Sequence, residues 1–139
     1  MRQTVSVIVP HYNDPAGLDA CLVALAAQTV APDEIVVADN NSPQGEAEIA
    51  RVVAGRARLV VVAEKGAGPA RNGGVAASTG QILAFTDSDC LPTPAWLAEG
   101  LAKLEQFDLV GGAMQVLVTD EARMTPVEAF ERVFAFDNQ

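Results

Sequence analysis

Two aspartates, Asp87 and Asp89, follow the apolar run Ile82-Leu83-Ala84-Phe85 with only Ser88 between them. In a chain whose formal net charge is -9, crowding two of its carboxylates together raises an electrostatic cost that something positive must offset. If extended geometry continues past the apolar run, residues two apart project to the same side. The pair then suits a hard divalent cation such as magnesium or manganese, which takes one or two carboxylates and completes its shell with water and phosphate oxygens. A solvated turn with an aspartate helix cap is the plainer reading of such a triplet; its position straight after an apolar strand favours the metal.

Other stretches add chemistry of the same kind. Asp39 closes the apolar run Ile35-Val36-Val37-Ala38; an acid there can accept hydrogen bonds from the sugar or base of a nucleotide, or form a turn with its own backbone. Residues 66–74, GAGPARNGG, combine glycines, a proline suited to a helix start and Arg71, a guanidinium fitted to phosphate or base recognition. Gly73 and Gly74 each cost a helix about 1 kcal/mol relative to alanine, so another backbone or a ligand is expected to approach them closely. The spacing is neither a Walker loop nor a dinucleotide fingerprint. Tyr12 can pack or stack. His11 is the only histidine, which excludes a multi-histidine metal cluster, and no chemistry is assigned to it.

These residues need a frame. Strands are predicted at 4–9, 34–39, 58–63 and 81–87, with weaker patterns across 108–119. Helical spacing links Leu18, Leu22 and Leu25; Ile49, Val52 and Val53; and Trp96, Leu97, Leu101 and Leu104, which are read as core. Alternating strands and helices imply an α/β fold, a mostly parallel sheet with helices on both faces. Ligands of such sheets bind outside the carboxyl ends of the strands, where PHYND, DNNSPQG, EKGAGPARNGG and DSDCLP all fall.

The 139 residues, half of them apolar, are enough for a single domain over 1–139. The acidity argues against nucleic acid as a partner. No run reaches the roughly 18 to 20 apolar residues that span a bilayer, and the first residues alternate like a strand instead of a signal peptide, so a cytoplasmic setting is expected. Cys21 and Cys90, without metal-ligand spacing, are read as free thiols.

Taken in order, VSVIVPHYND, DEIVVADNNS and GAGPARNGGVAASTGQILAFTDSD make residues 5 to about 91 resemble the amino-terminal, nucleotide-binding half of an inverting family-2 glycosyltransferase with the Rossmann-like GT-A fold. The resemblance implies that Pro10, Tyr12, Asp39 and Arg71 line a nucleotide pocket, with Asp39 on the base. It also implies that Asp87 and Asp89 bind the metal and diphosphate, with Ser88 between them counted among the donor-binding residues. The family more often has two adjacent acids where this chain has Asp39-Asn40. The implied donor is a UDP-, GDP- or dTDP-sugar and the acceptor an unknown glycan or lipid, with a full-length form peripheral to the membrane.

The catalytic base is expected to lie beyond the donor half this chain carries; no motif supports Asp120 or Glu121 in that role. The tail, TPVEAFERVFAFDNQ, reads as a threonine-capped helix with Val127, Phe130, Val133 and Phe134 on one side, and Phe136 follows. Self-association through it is expected. A non-catalytic nucleotide-binding module is the main alternative. A nucleotidyltransferase would carry its glycine-rich loop after the first strand, and a phosphoacceptor domain would cluster acids there.

Overall fold

The computed structural model describes residues 2–118 and 120–130, which fall into two compact units divided after Leu101. In the first, β1 (Val5–His11), β2 (Glu34–Asp39), β3 (Arg58–Val61) and β4 (Ile82–Phe85) form a parallel sheet in the order β3-β2-β1-β4. Between them run α1 (Pro15–Ala26), α2 (Glu46–Val53) and α3 (Ala67–Ala77); α4 (Trp96–Leu104) follows the sheet. The two central strands are buried almost throughout, which is why they are nearly continuous in Val and Ile.

Strand alternation sends Val7 and Val9 of β1 and Val37 of β2 to one face, where they meet Leu18, Cys21, Leu22 and Leu25 of α1 and Ile49 and Val53 of α2. Each of those leucines contributes about 2 kcal/mol of burial. Helix α1 starts where Asp14 accepts the Gly17 N–H at 3.0 Å and Pro15 opens the first turn. On the opposite face α3 lies so close that a Cβ on Gly74 would sit 2.5 Å from Cγ2 of Ile8, and one on Gly73 2.4 Å from Cγ2 of Val62. The helix thus needs small residues at both positions, and what approaches them is a side chain of β1 and one just past the end of β3, not the backbone or ligand expected from the sequence.

The amino ends of the strands are tied away from the rim. The Glu34 carboxylate accepts from Ser6 Oγ at 2.5 Å and from the Thr79 backbone and hydroxyl, while Ser6 Oγ accepts the Gly80 N–H at 2.7 Å. The Ser6 hydroxyl, then the Thr79 N–H, hold the Glu34 carboxyl below its ordinary range. A carboxyl depressed in the folded state stabilises above its unfolded pKa and loses that contribution as pH falls through the folded value. We therefore expect wild type to exceed Glu34→Gln in urea midpoint at pH 7, with the gap closing in the acid range below the ordinary glutamate pKa. A gap constant with pH would contradict this.

Two strand predictions change. The fourth strand stops at Phe85, so Asp87 to Asp89 lie in a turn. Residues 108–118 form no strand, and Leu109 and Leu117 stay largely exposed: alternation alone does not make a strand without packing against neighbours. In the second unit, α5 (Pro126–Phe130) opens with a reciprocal cap. Thr125 Oγ1 accepts the Glu128 N–H at 3.2 Å and the Glu128 carboxylate accepts the Thr125 N–H at 2.7 Å. Val127 and Phe130 are exposed; Val133, Phe134 and Phe136, with most of the face proposed for self-association, lie outside the described residues. Among the described residues no helix is long and apolar enough to cross a membrane.

Candidate functional site

The carboxyl ends of β1, β2 and β4 and the amino end of α3 surround one cavity of about 720 Å³, within the range that accepts a nucleotide-sized ligand. Pro10, His11, Tyr12 and Asp14 come from the first loop, Asn40 and Asn41 from the second, Lys65 to Ala67 with Ala70 and Arg71 from the third, and Asp87, Ser88 and Asp89 from the fourth. Of the residues expected at the site, Pro10, Tyr12, Arg71, Asp87, Ser88 and Asp89 are brought together. Tyr12 is 59% exposed, so its ring is available to a ligand.

Asp39 is placed differently from the expectation that put it on a nucleotide base. It is 1% exposed and absent from the cavity wall. Its Oδ1 lies 2.8 Å from His11 Nδ1 and accepts from Ser42 Oγ at 2.6 Å; its Oδ2 accepts the Ser42 N–H at 2.9 Å. The turn-forming role has absorbed the carboxylate. Residue 40 borders the cavity instead, because successive residues at a strand end point to opposite sides.

His11, to which the sequence reading assigned nothing, is the centre of this cluster. It is 2% exposed and stands opposite Asp39 in the parallel register. Its Nε2 accepts the Asp14 N–H at 3.1 Å, which fixes the tautomer: Nδ1 carries the proton and donates it to Asp39. Ser42 Oγ in turn accepts the Asn13 N–H at 2.9 Å. Two loops far apart in sequence are joined through one buried carboxylate. A histidine and an aspartate ending consecutive apolar strands were the available signal.

The fourth loop is joined to the third through charge. Arg71 Nη2 donates to Asp87 Oδ1 at 2.5 Å, so the chain itself supplies a positive group facing the acid pair. Both side chains are substantially exposed, and such a pair contributes only about 0–1 kcal/mol, little enough for a ligand to exchange it. Beneath it, Cys21 Sγ donates to the Asp87 carbonyl at 3.7 Å. Burial, followed by the charges of Cys90, Asp89 and Asp87, pushes the Cys21 thiol up to about 12, and burial likewise raises Cys90, so both remain neutral thiols.

The sequence model of glycosyl transferase family 2 matches residues 6–138. The chain belongs to this family. Glycosyltransferase AglE of Haloferax volcanii is 39% identical over 119 residues, covering 80% of this chain and 39% of that protein. A validoxylamine A glucosyltransferase of Streptomyces hygroscopicus subsp. limoneus is 36% identical over 104 residues, covering 70% and 23%. Glucosyl-3-phosphoglycerate synthase from Mycobacterium tuberculosis, solved with Mn2+, UDP and glucosyl-3-phosphoglycerate, superposes with a TM-score of 0.62 at 28% identity, covering 75% of this chain and 40% of that one. The same synthase has been solved with Mn2+, UDP-glucose and phosphoglyceric acid. This family 2 chain thus spans about two fifths of AglE and of the synthase.

The donor set fits a divalent cation in one particular way. Among the described residues no group of three or more His, Cys, Asp or Glu side chains gathers as a metal site. Asp87 and Asp89 can therefore hold a cation only if water and ligand oxygens complete its shell, which is the manner in which magnesium and manganese bind beside phosphates. Ser88, buried between them, keeps the turn against the protein while both carboxylates border the cavity. Asp120 accepts the Ala122 N–H at 2.9 Å as the cap of a short 3-10 turn.

Proposed function

We propose that this chain is the donor-binding part of an inverting glycosyltransferase, holding a nucleotide-diphosphate sugar with a divalent cation between Asp87 and Asp89. The observation that carries the reading is the convergence of both carboxylates, Arg71, Lys65 and Tyr12 on one cavity at the strand carboxyl ends. The Mn2+ and UDP of the structurally similar synthase support a nucleotide donor and a cation.

Transfer requires an acceptor hydroxyl to attack the anomeric carbon as the nucleoside diphosphate departs with added negative charge. A bound divalent cation supplies opposing charge where it develops. Asp87 and Asp89 anchor that charge, Lys65 and Arg71 add two further positive groups at the rim, and Tyr12 offers a face for a base to stack on. The acceptor's proton goes to a base supplied from outside the described residues.

Calorimetry with UDP, GDP and dTDP, each with and without manganese, tests the reading. Binding of one of them, strengthened at least tenfold by manganese, is expected. Absence of binding to all three would overturn it.

A further inference from the structure

The loop between β3 and α3 brings Lys65 and Gly66 to the cavity, yet it has almost no apolar anchor: residues 63–68 are all exposed. What holds it is one side chain from the neighbouring strand end. Asn40 Nδ2 donates to the Val62 carbonyl at 3.0 Å and to the Glu64 carbonyl at 2.6 Å, while its Oδ1 accepts the Gly66 N–H at 2.9 Å. Both amide hydrogens and the oxygen are used, which leaves the planar amide one orientation. Asn40 is itself fixed, its N–H bonded to the His11 carbonyl at 2.8 Å. Gly66 stands at φ +128, a backbone state that only glycine adopts readily, and it starts α3 without a side-chain cap. Its N–H has no helical partner there and depends on Asn40 for satisfaction.

Aspartate has the same shape but no hydrogen to donate. At position 40 it could still accept from Gly66, but it would turn an anionic oxygen toward two carbonyl oxygens. Loss of both donors and the new repulsion act on the same loop.

We propose that Asn40 is a positioning residue whose side-chain amide, through the two bonds it donates and the one it accepts, holds residues 62–66 of this chain so that Lys65 and Gly66 face the donor's diphosphate. The proposal rests on the donor-pocket reading above and adds the device that sets the pocket's third wall.

The test compares wild type, Asn40→Asp and Asn40→Ala in two measurements. Hydrogen exchange without ligand should accelerate at least tenfold across 62–67 in Asn40→Asp while amides of β1 and β2 keep wild-type rates, and Asn40→Ala should accelerate less because it removes donors without adding repulsion. Lowering pH through the carboxylate range gives the introduced side chain of Asn40→Asp one O–H donor, so its exchange ratio to wild type should shrink while that of Asn40→Ala stays constant; a residue that merely filled space would show no such difference. UDP affinity with manganese should fall at least tenfold in Asn40→Asp. Wild-type exchange at Gly66 in that variant overturns the proposal, as does accelerated exchange with unchanged UDP affinity. If Asn40→Asp exchanges everywhere because it does not fold, Asn40→Ala carries the same two criteria. Failure of wild type to bind any nucleoside diphosphate overturns the pocket reading and the ligand role of Asn40 with it, while the exchange result still reports on the loop.

Discussion

Asp89→Ala is expected to remove the manganese-dependent part of UDP binding, a loss of about 100-fold or more, since replacing even indirect supports of metal ligands costs about 10–100-fold. The sign reverses when the metal is withheld. An exposed carboxylate a few ångströms from a diphosphate repels it by about 1 kcal/mol in high dielectric, so the variant should bind UDP several-fold more tightly than wild type in chelator, most clearly at low salt. That crossing of affinities distinguishes a metal anchor from a carboxylate that only shapes the loop. Asp89 is exposed, and among the described residues its side chain has one hydrogen-bond contact, a weak one from Cys90 Sγ at 3.8 Å. The melting temperature should therefore stay within about 2 °C of wild type, consistent with a surface change of under about 0.5 kcal/mol. Equal UDP affinities for the two proteins with manganese would remove Asp89 from the site. Asp87 is a poorer first choice, because its loss also releases Arg71.

The second large effect falls on folding. Asp39→Ala should lower stability by about 3–5 kcal/mol, because it strands the His11 N–H, the Ser42 hydroxyl and the Ser42 N–H in a site that water scarcely reaches. Denaturant unfolding followed by tryptophan fluorescence would read this through Trp96, which packs against the core. Asp39→Asn should lie between the two, keeping one acceptor oxygen while turning an amide toward existing donors. A loss below about 1 kcal/mol for Asp39→Ala would mean that the carboxylate is not the link between the first two loops. Nucleotide binding by the folded fraction is expected to weaken as well, since that link sets the positions of Asn13, Asp14 and Asn40 together.

These two aspartates also show how unevenly the chain could be read. Both end apolar strands and both look like ligand-binding acids by type and position. Asp89 borders the cavity and Asp39 is buried beneath it. Nothing local separates them: the difference is that Asp39 lies opposite His11 in register and the Asp87–Asp89 turn lies beyond the last paired residue of β4. Gly73 and Gly74 make the same point, since their need for close approach was evident from propensity but the neighbour, Val62 or Ile8, was not.

Sequence alone determined the four strands of the sheet and the helices between them, in their order, because hydrophobic period, caps and glycine positions are short-range quantities carried by neighbouring residues; the same alternation across 108–119 predicted strands that residues 108–118 do not form. It also determined that chemistry would gather at the carboxyl ends of a parallel sheet, since the connections leave no other rim for those loops. Only the tertiary structure decided which side chains face the cavity and which hold one another. His11 with Asp39, Asn40 with residues 62–66, and Arg71 with Asp87 are pairings of residues 16 to 28 apart. Such pairings arise from strand register and helix packing, and register depends on the summed burial of whole strands; no single residue carries it in its own type.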